Sequence, residues 1–204
     1  MLHVGITGGI GSGKSWVCSQ FKDRGYVVYE ADLRAKMLMT NDAQLVADVK
    51  QLFGEKAYFP DGSLNRKLIG GIVFQDPAKL QALNQVVHPA TARDYQHWSN
   101  HEIPSDYPHA FVLKEAAILF ESGAYHLSDA VLAVYAPKSL RLTRTMNRDE
   151  TDEASVLARM DKQWPESRKW QLADFTIIND GAHEVRPQVE EAIEFFNQMA
   201  HNGR

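Results

Sequence analysis

The sequence predicts an α/β fold with a mainly parallel, five-stranded sheet flanked by helices. Three observations carry this expectation. Five short apolar runs are spread along the chain, helical patterns fill the stretches between them, and the first run ends in a Gly-rich turn. Short apolar runs rich in Val and Ile suit strands buried on both faces. Their alternation with helices favours parallel pairing. The runs are Leu2 to Thr7, Tyr26 to Glu30, Phe111 to Leu113 continuing toward Glu115, Ala130 to Tyr135, and Phe175 to Ile178.

The spacing between runs is uneven. A parallel crossover needs about a dozen residues, yet about 80 separate the second and third runs. That excess carries helical patterns near 41–53, 64–74 and 77–100, and reads as a mostly helical insertion. Within it, His88-Pro89 is expected to interrupt the long helix, because proline disfavours helical geometry in the residue before it. Almost 40 residues separate the fourth and fifth runs, and that stretch, 137–172, is rich in Arg and Lys, with Pro165 marking a turn. Two excursions beside one sheet suggest two mobile covers over one site. A last helix is expected over about 184–200, opening near Pro187, with Val189, Ile193 and Phe196 on its apolar face.

Composition narrows the function classes. The chain has 204 residues, 44% apolar and 24% charged, ordinary for a globular protein with a sizeable core. Lys and Arg number 22 against 26 Asp and Glu, a net charge of −4, which argues against a dedicated nucleic-acid binder. One cysteine, Cys18, excludes an intrachain disulfide framework and a Cys-based zinc cluster. No apolar run approaches the roughly 18 residues of a membrane span. The start Met-Leu-His-Val-Gly lacks the features of a secretion signal. The expectation is a reduced, cytoplasmic protein with neither membrane nor nucleic acid as partner.

The strongest chemical signal is Gly8-Gly9-Ile10-Gly11-Ser12-Gly13-Lys14-Ser15, which fits G-x-x-x-x-G-K-[ST] at every fixed position. It lies after a strand and before a helix, as the motif requires. Glycines let backbone N–H groups converge on phosphate oxygens, and the following helix turns its positive end toward the anion. Lys14 would reach the outer phosphates and the Ser15 hydroxyl would ligate Mg²⁺. The dinucleotide-binding pattern G-x-G-x-x-G fails, because Lys14 stands at its last position. Trp16 follows, where such loops often carry a second hydroxyl.

Other residues point to phosphoryl transfer. Asp32 lies just past the second run, where strand ends open onto a ligand. Position alone fits two roles, a base for an attacking hydroxyl and an N-cap for a helix starting at Leu33. Glu115 and Glu121, near the end of the third run, could bind Mg²⁺ through water or hold an acceptor. Arg141, Arg144 and Arg148 are spaced by three and four residues and share one helical face, with Arg159 and Gln163 beyond. They suit either closure over phosphates or a solvated face balanced by Asp149, Glu150, Asp152 and Glu153. The eight histidines show no metal-ligand spacing.

Taken together, the pattern resembles the dephospho-CoA kinase family over nearly the whole chain. The pieces are TGGIGSGKS at 7–15, EAD at 30–32, Asn65-Arg66 followed by Val73-Phe74, His88-Pro89, and Leu119-Phe120-Glu121-Ser122-Gly123. Further on come Arg144 with Arg148-Asp149, Ala158-Arg159 through Gln163, Ala173-Asp174-Phe175, and Asn179-Asp180-Gly181. The resemblance implies transfer of the ATP γ-phosphoryl group to the ribose 3′-hydroxyl of dephospho-CoA, with Mg²⁺. It implies a P-loop NTPase core (1–32, 109–136 and 173–204), a helical acceptor-binding insertion (33–108) and a lid (137–172). By position, Asp32 resembles the general base, with Lys14 and Arg144 as its catalytic companions. Gly9, Ile10, Gly11, Ser12, Gly13, Lys14, Ser15 and Trp16 resemble the nucleotide loop. Arg66, His88 and Glu121 resemble acceptor-pocket positions, Arg144, Arg148 and Arg159 lid and phosphate contacts, and Asn179 and Gly181 the adenine-side loop. Arg159 is also assigned to the acceptor, and Arg148 to the nucleotide.

The chain departs from the family in two places. Lys114-Glu115-Ala116-Ala117-Ile118-Leu119 replaces an apolar run ending Pro-Leu-Leu, so a proline is lost and two charges enter. Arg141 stands where a glutamine is common. The expected partners are ATP and dephospho-CoA, and the expected state is a monomer or weak homo-oligomer. A kinase for another small acceptor and a nucleotide-dependent switch are the competing readings; the N-K-x-D motif of GTPases is absent.

Overall fold

The computed structural model describes residues 1–203. The chain forms two compact units, one of Met1–Glu30 with the chain from Asp106 onward, the other of Ala31–Ser105.

The first unit holds the sheet. Its strands are β1 (Leu2–Thr7), β2 (Val28–Glu30), β3 (Phe111–Glu115), β4 (Ala130–Tyr135) and β5 (Phe175–Ile178), in the order β2-β3-β1-β4-β5. Every neighbouring pair is parallel, as the expected alternation requires. The second strand is shorter than its apolar run, beginning at Val28 rather than Tyr26; the Tyr26 ring packs against Phe21, His109 and Phe111. The helices of this unit are α1 (Lys14–Lys22), α6 (Lys138–Asp149), α7 (Glu153–Met160), α8 (Glu166–Leu172) and α9 (Val185–His201). Val4, Ile6, Leu113, Leu132, Val134 and Ile177 from the strands meet Val17 and Phe21 of α1 and Val189, Ala192 and Phe196 of α9 in one buried cluster. Burial of such side chains contributes about 1.5–3 kcal/mol each. This fixes β1, and with it the loop that follows, in the middle of the sheet.

The second unit is helical, with α2 (Ala31–Asn41), α3 (Ala43–Phe53), α4 (Arg66–Gln75) and α5 (Pro77–His101). Leu45, Val49, Ala57, Tyr58, Ile69 and Ala90 form its core. Side-chain caps set three of its helix starts. Asp42 accepts from the Leu45 N–H, Asn65 from Leu68, and Asp76 from Ala78 and Lys79. Arg34 pairs with Asp94 at 2.7 Å and with Glu102 at 2.9 Å, tying α2 to α5.

Two local expectations are corrected. The helix expected from Leu33 starts at Ala31, which is buried, so Asp32 lies inside its first turn rather than capping it. The long helix is not interrupted at His88-Pro89: α5 runs unbroken through Pro89. Ala90 is buried in the unit's core and the Thr91 hydroxyl donates to the Val87 carbonyl at 2.9 Å. Packing on both sides of the proline outweighs its local preference.

Candidate active site

The loop between β1 and α1 is a phosphate cradle by conformation as well as by sequence. Gly11 and Gly13 have φ of 78° and 93°, the left-handed region that glycine alone adopts freely. A Cβ on Gly11 would also meet the Arg141 carbonyl oxygen at 2.3 Å, because α6 lies directly against the loop. Gly13 precedes α1 with no side-chain cap, so the helix start is left for an anion. Lys14 is buried and its Nζ donates to the Gly8 carbonyl at 2.9 Å, holding the ammonium over the loop. Ser12 is fully buried, whereas Ser15 and Trp16 in the first turn of α1 are exposed.

The basic stretch meets this loop through two groups of contacts. In the first, Arg144 Nη1 donates to the Asn179 carbonyl at 3.0 Å, and the Asn179 amide donates to the Ser12 carbonyl at 2.8 Å. Gly181, at φ 87°, follows in a turn where Asp180 accepts the backbone N–H groups of His183 and Ala182. Those bonds, together with the His183 ring, bring the Asp180 carboxyl down to about 2. In the second, the Gly9 N–H donates to Glu166 Oε2 at 3.2 Å and the Ile10 N–H to Gln163 Oε1 at 2.8 Å. Arg141, buried on α6, reaches the Ile10 carbonyl and lies 3.8 Å from Glu166. A Cβ on Gly9 would stand 2.1 Å from Arg141 Nη1 and 2.4 Å from Glu166 Oε1.

Glu121 belongs to the same assembly. Its Oε1 accepts from the Trp164 N–H at 2.8 Å and pairs with Lys169 Nζ at 2.8 Å; Lys169 is 1% exposed. Gln163 also donates to the Ala117 carbonyl at 3.3 Å. The segment after β3 and the stretch 163–169 are thus stitched together, and the latter reaches the phosphate loop through Gln163 and Glu166. Lys114 is buried in β3, and burial lowers its pKa.

Arg148 and Arg159 lie apart from these contacts. Both pair with Asp149, at 2.7 and 2.6 Å, and Arg148 first, then Arg159, hold that carboxyl well below the usual range. This is the balanced, solvated arrangement, with the acid supplied by the end of α6. Asp32, Arg66 and His88 belong to the helical unit: Asp32 and Arg66 stand exposed in the first turns of α2 and α4, and His88 lines an open groove along α5 with Leu80 and Asn84.

The sequence reading missed Glu166 and Lys169. The available signal was the spacing Glu166-x-x-Lys169 after Pro165, which places two polar groups on one face of a short helix, with Gln163 in the bend before it. Among the described residues no group of three or more His, Cys, Asp or Glu is placed to hold a metal. The Ser15 hydroxyl is exposed in the first turn of α1, and Glu30, paired with Lys22, lies opposite Glu115 at the ends of β2 and β3. Oxygen donors of these kinds suit a hard cation that keeps several waters. No described helix is long and apolar enough to cross a membrane.

Comparisons with known proteins give matches over nearly the whole chain. The family model described as dephospho-CoA kinase matches residues 2–184. A dephospho-CoA kinase of Chlorobium chlorochromatii is 40% identical over 188 residues, covering 90% of this chain and 88% of the relative. One of Chlorobaculum tepidum is 39% identical over 195 residues, covering 93% and 92%. Among solved structures, the Thermus thermophilus protein TT1252 superposes with a TM-score of 0.79 at 33% identity, covering 97% of each chain. Dephospho-CoA kinase from Campylobacter jejuni superposes at 0.69 with 26% identity, covering 97% of this chain and 98% of that one. A phosphate loop of this geometry is shared by many enzymes; a family match running from β1 to the start of the last helix is not, and on it the chain belongs to the dephospho-CoA kinase family.

Proposed function

We propose that the family's reaction, ATP-dependent phosphorylation of the ribose 3′-hydroxyl of dephospho-CoA to give CoA and ADP, the final step of coenzyme A biosynthesis, is run by this chain with the following division of labour. The loop Gly9–Trp16 takes the ATP phosphates, with Lys14 at the outer ones and the Ser15 hydroxyl on the Mg²⁺ that accompanies the nucleotide. When bound, that cation neutralises charge on the phosphate oxygens. Asp32 accepts the proton of the 3′-hydroxyl as its oxygen bonds to the γ-phosphorus and the bond to the bridging oxygen of ADP breaks. Arg144 neutralises charge that develops in transfer. Asn179 and Gly181 border the adenine side, and Arg148 and Arg159 move from Asp149 to ligand phosphates as 137–172 closes as a lid. Arg66, His88 and Glu121 hold dephospho-CoA, with 33–108 as the acceptor-binding part.

One observation carries the reading: the cradle Gly8–Ser15, with left-handed Gly11 and Gly13, an uncapped α1 start and Lys14 Nζ held over the loop. In this reading the chain works on small molecules in the cytoplasm as a monomer or weak homo-oligomer. The deciding experiment is ADP formation with and without dephospho-CoA. Acceleration by the acceptor is expected; ADP formation indifferent to it would favour a nucleotide-dependent switch.

A further inference from the structure

Two backbone N–H groups of the phosphate loop already have acceptors. Gly9 donates to the Glu166 carboxylate and Ile10 to the Gln163 amide oxygen. The Glu166 side chain is 13% exposed, and its Oε1 lies 3.8 Å from Arg141 Nη1 and 4.0 Å from Lys169 Nζ. One carboxylate is therefore surrounded by a loop N–H and two cations, and the loop ammonium of Lys14 belongs to the same loop. That is the donor set of an anion site, and a side chain of this chain fills it.

We propose that Glu166 sets the affinity for the outer phosphates of the nucleotide by acting as an internal competing anion. The chemistry is exchange of one oxyanion for another. A phosphate oxygen arriving at the Gly9 N–H must displace Glu166 Oε2. In the same step the negative charge of Glu166 opposes the arriving anion and screens Arg141 and Lys169 from it. Both effects act in one direction, so removing the charge tightens polyphosphate binding. Nothing in the ordinary view of a site residue predicts that sign, since deleting a ligand contact weakens binding. Gln163, neutral and donating at its other end to Ala117, keeps the Ile10 peptide in place and adds no competing charge.

The inference rests on the reading of Gly8–Ser15 as the nucleotide's phosphate loop. The test separates the two. Tripolyphosphate, which has no base or sugar, and ATP are titrated calorimetrically into the wild-type protein, Glu166→Gln and Glu166→Ala, at two salt concentrations. Glu166→Gln keeps the size of the side chain and removes the charge; Glu166→Ala removes both. The expected result is a Kd for both ligands lower by about tenfold in each variant, the scale of one charge-assisted hydrogen bond, with a larger gain at low salt. Unchanged or weaker binding in the variants, with binding by the wild type, overturns the competing role and leaves Glu166 a structural residue. Absence of binding to the wild type overturns the loop reading itself and this inference with it. If one variant does not fold, as judged by its thermal transition, the other carries the same comparison.

Discussion

The Arg144 guanidinium is held by Asn179, whose own amide donates to the Ser12 carbonyl oxygen. One asparagine thus joins the basic helix α6, the exit of β5 and the phosphate loop. A Cβ on Gly13 would stand 2.1 Å from that same amide, so the contact also restricts the residue before α1. Asn179→Ala removes the amide's bond to Ser12 and the 3.4 Å bond from Arg144 Nη2 to Oδ1, and keeps the backbone carbonyl that accepts from Arg144 Nη1. We expect the KM for ATP to rise about tenfold, matching a loss of about 1–1.5 kcal/mol, with a smaller change in kcat. Steady-state kinetics at saturating acceptor measures this, and an unchanged KM would show that Asn179 serves the loop's fold alone.

Asp32→Asn is expected to keep ATP binding and lose most turnover, by about 10²- to 10⁴-fold, the range for a positioned base. Calorimetric ATP binding beside acceptor-dependent ADP release separates the two effects. Equal turnover in wild type and variant would take Asp32 out of the proton transfer.

Lys169 is 1% exposed and pairs with Glu121. Lys169→Met leaves Glu121, whose side chain is 12% exposed, with an uncompensated charge. Breaking a buried pair from one side costs about 3–5 kcal/mol. At roughly 2–4 °C of Tm per kcal/mol for a chain of this size, the melting temperature should fall by roughly 6–20 °C. The double variant Lys169→Met with Glu121→Leu should recover much of that loss, since two apolar groups then replace the pair. A double variant no more stable than the single one would contradict the account.

His3, partly buried in β1, has its pKa lowered, chiefly by burial, with the amino terminus and Lys114 acting the same way and Asp129 opposing. The unfolded chain therefore binds this proton more readily than the folded one. The contribution to stability is fully present above the ordinary histidine value of about 6.5 and is lost as the pH falls through the folded value. Thermal melts from about pH 7.5 down to about pH 5 should show a smaller loss of Tm in His3→Gln than in the wild type. Parallel curves would assign the acid sensitivity to other groups.

What the sequence made legible is what local chemistry determines. The strands follow from runs of apolar residues, and the loop's shape follows from glycines whose backbone angles nothing else tolerates. The helix through Pro89 and the early start of α2 are set by burial of Ala90 and Ala31, which no local pattern around them signals. The grip of 163–169 on the loop joins Gly9 to Glu166, 157 positions apart in sequence, and depends on how α6 and α8 fold back on β1. For the same reason the arginine stripe splits. Arg141 and Arg144 meet the loop and Asn179, while Arg148 turns to Asp149, although all three recur at helical spacing.

Gly9 has no left-handed φ to explain it, yet Arg141 Nη1 and Glu166 Oε1 lie within 2.4 Å of where its Cβ would be. The constraint on this position therefore comes from the cover above the loop. In a saturation library scored only for folding, position 9 would tolerate side chains in genetic backgrounds with smaller residues at 141 and 166, and reject them otherwise. Three sites far apart in the gene would evolve as one unit, and their epistasis would be visible before any catalytic assay was run.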